Sequence, residues 1–198
     1  MKRSNGHLNA PIQVIAYHGS GNPIHEFDYQ FTGIGNDQIG SGFYFTTDFS
    51  EAIGYTSGTL NGEPKPGGTD NPTVHLVKLT LTNPMPHDLK QDLTAQQARQ
   101  IILAAPELDD ALWNWGDLSR EKRETIINKA AKTYAPMPGD ESIELLRQLH
   151  PLANDFFDGH TEAFNRAVQA TLGFDSISCS FEDGKTHFVA FYPEQIEI

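Results

Sequence analysis

Hydrophobic positions fall into three zones of different period along the chain. Over residues 11–82 they run in short blocks punctuated by glycine. Ile12-Gln13-Val14-Ile15-Ala16-Tyr17 leads into His18-Gly19-Ser20-Gly21, the pattern of a strand entering a loop. Gly40-Ser41-Gly42 opens a second strand over Phe43-Tyr44-Phe45-Thr46-Thr47. Ser50-Glu51-Ala52-Ile53-Gly54-Tyr55 begins a helix, with Asp48 or Ser50 as its N-cap. Residues 58–72 are dense in glycine, proline and asparagine, which predicts a mobile loop. Residues 74–82 alternate as a third strand, ended by Asn83-Pro84.

From about residue 93 to 172 the period becomes helical. Residues 95–103, 120–133, 141–149 and 161–172 each read as a helix, separated by Pro106, Pro136-Met137-Pro138 and Pro151. Trp113 and Trp115 in this zone read as core plugs. Strand patterns then return. One begins at residues 173–177, Glu182-Asp183-Gly184-Lys185 forms a hairpin turn, and residues 187–192 make a last strand that Pro193 stops. Strands, then helices, then strands predict an α+β fold whose sheet is completed by the C-terminal segment.

Composition narrows the functional classes. At 198 residues the chain has the length of one domain whose core needs no covalent staples. Its net charge of −12 argues against a broad basic footprint for nucleic acid or an anionic membrane, though not against a local basic groove. The single cysteine, Cys179, excludes an internal disulfide framework and points to a reducing compartment. Beside a predicted strand, that thiol reads as a packing residue rather than a nucleophile. The basic Met1-Lys2-Arg3 start has no apolar stretch behind it, so no conventional signal peptide is expected. No run has the length of a transmembrane helix. The expected location is a cytoplasm, the protein's own or a host's.

The eight histidines fall in no zinc or iron spacing, so no metal is expected. Gly33-Ile34-Gly35 lacks the strand-and-helix context of a phosphate loop, and residues 33–40 read instead as a loop over a cleft. Taken singly, Tyr17-His18-Gly19 is a turn, and Tyr44 with Tyr55 is a pair of core aromatics. Their order and spacing change the reading. Tyr17-His18-Gly19-Ser20 comes first, Gly40-Ser41-Gly42-Phe43-Tyr44-Phe45-Thr46 second, and Tyr55 lies eleven residues after Tyr44.

This combination resembles the ADP-ribosyltransferase superfamily, in the branch of the poly-ADP-ribose polymerases and diphtheria toxin. The strand ending in Asn83-Pro84 and the closing segments 173–177 and 187–196 also match. That closing pattern is similar to toxin-like transferase domains of phage and bacterial polyvalent proteins. The resemblance covers roughly the first ninety and last twenty-five residues. It implies a split antiparallel β-sheet core carrying an all-helical insertion at about 93–172, within a single domain spanning residues 1–198. It also implies NAD+ as co-substrate, with Tyr17, His18, Gly19, Ser20, Gly42, Phe43, Tyr44 and Tyr55 forming the binding cleft. Tyr44 and Tyr55 would sandwich the flat nicotinamide ring at offset geometry. The Gly19 backbone would pair with its carboxamide at close approach. His18 would hydrogen-bond the adenine-side ribose.

Cleaving the nicotinamide–ribose bond develops an oxocarbenium-like centre, which a nearby carboxylate usually assists. In the best-known members that carboxylate is a glutamate opening the last strand. Here His187 stands at that position, with Glu182 and Glu194 the acids flanking the strand in sequence. A second departure is Ala52, where many polymerase-like members carry a serine. The expected catalytic set is therefore His18, Tyr44, His187 and Glu182. His187 acts as a hydrogen-bonding or general-base group, or Glu182 swings in as the acid, or the cleft binds NAD+ without efficient transfer. Loss of the glutamate disfavours chain extension, so the implied activity is mono-ADP-ribosylation of a protein or nucleic-acid acceptor, of toxin or effector type. NAD+ hydrolysis and a non-catalytic NAD+ or ADP-ribose-binding module are the alternatives. An antitoxin or immunity protein is the further partner such a toxin implies.

Overall fold

A computed structural model describes residues 10–32, 40–57, 59–60, 63–64, 70–108, 119–135 and 143–198. In chain order the elements are β1 (Ile12–Ser20), β2 (Phe43–Thr46), α1 (Phe49–Tyr55), the two-residue strands β3 (Thr59–Leu60) and β4 (Glu63–Pro64), β5 (Thr73–Leu81) and β6 (Pro84–Pro86). The helices α2 (Ala95–Ile102), α3 (Arg120–Tyr134), α4 (Leu145–Phe156) and α5 (Thr161–Leu172) follow. The strands β7 (Ser176–Ser180), β8 (Thr186–Ala190) and β9 (Ile196–Glu197) close the chain. This is the α+β order read from the sequence.

One seven-stranded sheet runs β6-β7-β8-β2-β1-β5-β9, and β3 pairs with β4 separately. All its pairings are antiparallel except β6 with β7. β1 and β5 are in register over their whole length, from Ile12↔Leu81 to Ser20↔Thr73. β1 and β2, in contrast, meet at a single pair, Tyr17↔Thr46. The sheet is thus held as two halves, β6-β7-β8-β2 and β1-β5-β9, that part at its centre.

Two apolar clusters hold these halves. Ala16, Val77, Leu79 and Leu81 from one half meet Phe43, Phe45, Phe188 and Ala190 from the other, with Phe27 and Tyr29 packed against them. The opposite side of β6-β7-β8 is covered by α2 to α5: Met85, Ile177 and Val189 share a cluster with Ile101, Ile102, Leu145, Leu149, Leu152 and Val168. The helical zone is therefore the other layer of the same core, joined to the sheet rather than standing apart. Local signals set its ends. Thr94 and Gln97 form a capping box on α2, and Gly173, at φ 85°, ends α5 in the left-handed conformation that glycine tolerates.

Three expectations change. Pro151 does not separate helices but lies inside α4. Pro151 and Arg147, whose carbonyl loses its partner, are both on the exposed side, while Leu145, Gln148, Leu149, Leu152 and Phe156 are buried, so the carbonyl is on the side that solvent can reach. Asn83-Pro84 ends β5 but immediately begins β6, an edge strand where a missing N–H is tolerated. Pro193 stops β8, yet the chain returns as β9 against Lys78 and Leu79. In segment 58–72, Thr59–Leu60 and Glu63–Pro64 pair as a small hairpin. Trp113, Trp115 and the segment 33–39 lie outside the described residues. No helix among the described residues is long and apolar enough to cross a membrane.

Candidate active site

Beyond Tyr17↔Thr46 the β1–β2 ladder stops, and a side chain takes its place. The His18 ring enters the gap, and its Nδ1–H donates to the Tyr44 carbonyl at 2.8 Å. Because a carbonyl only accepts, this bond fixes the neutral ring as the Nδ1–H tautomer. Phe27 meets the ring edge-on at 5.2 Å between centroids, and Phe45 lies tilted at 5.6 Å. Across the ladder His18 faces His75, whose Nε2 accepts from the Ile24 amide at 3.0 Å.

Burial, with His25 nearby, holds the His75 pKa below the usual histidine value. A neutral His75 is favoured in the fold, so it contributes stability above the ordinary histidine pKa that is lost as pH falls. We expect His75→Gln, which can still accept but does not titrate, to flatten the fall in Tm between about pH 7 and about pH 5. An unchanged slope in a pH series of thermal melts would refute this.

Gly19 explains how α1 sits so near β1. A Cβ placed there would lie 1.9 Å from the Ala52 carbonyl oxygen and 3.0 Å from Tyr55 Cβ. Backbone and helix are in direct contact, which only glycine permits. The Tyr17 ring meets Phe49 edge-on at 5.3 Å, fixing the start of the same helix. Gly42 plays a similar part on β2: its φ is 152°, and a Cβ would come within 2.5 Å of the Ala190 oxygen on β8.

The third contact joins α1 to the last long strand. Asp48 caps α1 by accepting from the Glu51 amide at 2.7 Å. Thr46 Oγ1 accepts from the Asp48 amide, and its own hydroxyl proton goes to Glu51 Oε2 at 2.7 Å. His187, opposite Thr46 in the β2–β8 register, brings Nε2 to 2.8 Å from the same Oε2. That approach is close but not linear, since Nε2 makes no aligned hydrogen bond. Phe181 stands edge-on to the His187 ring at 4.7 Å. Burial acts to raise the Glu51 pKa, but the bond from Thr46, the His187 contact and nearby Lys185 outweigh it. The carboxyl lies below its ordinary value and is ionised at neutral pH.

The structure therefore brings Tyr17, His18, Gly19, Tyr44, Tyr55 and His187 to one junction of β1, β2, α1 and β8. Tyr44 leans toward the helical layer, its hydroxyl donating to the Gly40 carbonyl. Tyr55 is about half exposed, one helical turn beyond Glu51. Ser20 accepts weakly from the Asn22 amide at 3.4 Å. Phe43 is a core side chain. Glu182 is exposed on the β7–β8 turn. Cys179 is buried in β7 opposite His187, and burial, with Asp88 nearby, pushes its thiol pKa up, as suits a packing residue.

The residue that sequence reasoning passed over is Glu51. Asp48 followed three positions later by Glu51 has the form of a capping box, which gives the acid a local task. Yet the Asp48 amide already bonds Thr46, and the Glu51 carboxylate turns outward to the strands. A cavity of about 420 Å³ beside Tyr29, His160, Glu162 and Arg166 lies at the start of α5, away from this junction.

No curated protein and no solved structure matches the chain. A family model described as ADP-ribosyltransferase in polyvalent proteins matches residues 10–197, which takes in both halves of the sheet, the helical layer and every residue of the junction. The parted central strands, with His18 seated between them, thus occur in a chain that belongs to the ADP-ribosyltransferase family of polyvalent proteins.

Proposed function

We propose that this protein is an NAD+-dependent mono-ADP-ribosyltransferase of toxin or effector type, which moves ADP-ribose onto a protein or nucleic-acid acceptor and releases nicotinamide. The observation that carries this reading is the parting of β1 from β2 after one register pair, with His18 bound to the Tyr44 carbonyl in the gap. A split between central strands exposes backbone groups and side-chain faces to a ligand that a continuous ladder would occupy. His18 there offers a ring of fixed tautomer to a ribose hydroxyl. Gly19, whose missing Cβ lets α1 pack directly on β1, would pair its backbone with the nicotinamide amide. Tyr44 and Tyr55 supply the aromatic faces for the nicotinamide ring, in the offset stacking such rings prefer. Ser20, Tyr17 and the backbone of Gly42 and Phe43 complete the lining.

The test is incubation of the purified chain with labelled NAD+ and a cell lysate. Label on macromolecules, with nicotinamide released, is the expected outcome. Free ADP-ribose alone would make the protein a hydrolase, and intact NAD+ would make it a binding module. His18→Ala and Tyr44→Ala should each lower NAD+ consumption by about 100-fold, as loss of a substrate-positioning group does. Unchanged consumption in both would sink the proposed site.

A further inference from the structure

The second position of β8 holds His187, yet a carboxylate is present beside it. Glu51 reaches the spot from α1, across the β2–β8 pair, and both of its contacts converge on one oxygen. Thr46 donates to Oε2 at 2.7 Å, and His187 Nε2 lies 2.8 Å from the same atom. The Glu51 side chain keeps 27% of its surface exposed, whereas Thr46 beneath it is buried. Glu51 and Tyr55 stand one turn apart on the same side of α1. Tyr44 and Thr46 project from the same face of β2, opposite Val189 and His187. The carboxylate is thus held through Oε2 beside the last strand, one turn from Tyr55, and stays partly open to solvent.

We infer that Glu51, not an acid on β8 or its turn, is the catalytic carboxylate: its Oε1 accepts a hydrogen bond from the nicotinamide-ribose 2′-hydroxyl and stabilises the oxocarbenium ion. Thr46 and His187 act as positioning residues for it. This assignment rests on the proposed NAD+ chemistry. In the step itself the C1′–N bond breaks and its electron pair stays on the ring nitrogen, so the pyridinium leaves as neutral nicotinamide. A lone pair of the acceptor then bonds C1′. The proton the acceptor loses passes to the Glu51 carboxylate and from there to water. An ionised, partly desolvated carboxylate aimed at developing positive charge is the arrangement that stabilises such a transition state most. The low pKa of Glu51 keeps that charge in place at neutral pH.

The experiment compares wild type with Glu51→Gln, Glu51→Asp and Glu182→Gln in the full chain. It measures nicotinamide release as kcat and KM, NAD+ affinity by calorimetry, and Tm. Glu51→Gln keeps the shape and the Thr46 bond but removes the charge. It should lower kcat by about 100-fold, as removal of one transition-state stabilising group does. Its NAD+ Kd should stay within about threefold, because the lost interaction is made mainly in the transition state. Glu51→Asp keeps the charge but withdraws it by one methylene, and it should lose about 10-fold in kcat. Full kcat in Glu51→Gln, full kcat in a folded Glu51→Asp, or a loss confined to Glu182→Gln overturns the assignment while leaving the transferase reading intact. Wild type that binds no NAD+, or releases no nicotinamide from it, overturns that reading and this assignment together.

Discussion

Asp175→Ala is expected to remove about 3 kcal/mol of stability, the scale of three lost hydrogen bonds at about 1 kcal/mol each. The residue is 4% exposed. Its two oxygens accept from the Thr82 amide at 2.7 Å, the Asn83 amide at 2.9 Å and the Ser176 hydroxyl at 3.0 Å. Alanine would strip two backbone donors of their acceptor and leave the buried Ser176 hydroxyl without one. The position joins the corner between β5 and β6 to the start of β7. Its own carbonyl also accepts from Gln195, whose other end holds the Phe191 and Tyr192 amides. Asp175→Asn, which keeps one acceptor oxygen, should fall between. Urea unfolding followed by far-ultraviolet circular dichroism decides the matter: a midpoint in Asp175→Ala equal to wild type at unchanged slope would refute it. Against a total of about 5–15 kcal/mol for an ordinary domain, the loss is large.

Gly19→Val should abolish NAD+ binding while the sheet survives. The Cβ clash with the Ala52 oxygen, at 1.9 Å, involves backbone on both sides, so no rotamer relieves it. α1 must lift from β1, and it carries Glu51 and Tyr55 with it. Even Gly19→Ala should cost about 1–3 kcal/mol, the usual range for overpacking. A control lies on the same helix. A Cβ at Gly54 meets nothing within 4 Å, so Gly54→Ala should stabilise α1 by about 0.5–1 kcal/mol through helix propensity. Wild-type NAD+ affinity in Gly19→Val, measured by calorimetry, would show that α1 has no part in the site.

Most elements were legible because their signals are local. The alternation of β5, the cap at Asp48 and the turn before Lys185 each depend on a few neighbouring residues. Pro151 misled because its tolerance depends on which side of α4 faces water, a property fixed only by packing. β9 was hidden because two residues carry no period, and they become a strand only against Lys78 and Leu79. At the site, the spacing from Tyr44 to Tyr55 and the His18-Gly19 step could be read along the chain, since β1, β2 and α1 follow in order. Glu51 could not. Its approach to His187 spans 136 positions and exists only because β2 and β8 are neighbours in the sheet.

The parting of β1 from β2 also creates an edge in the middle of a sheet. Backbone groups that have lost a neighbouring strand invite another chain to pair with them, the usual start of unwanted self-association. Here the invitation is blocked by side chains. His18 occupies the Tyr44 carbonyl, and Phe27, whose ring touches His18, Phe43 and Phe45, packs behind it in the apolar cluster that joins the two halves. Side chains so placed work against self-association at the place where a continuous ladder would otherwise have done so.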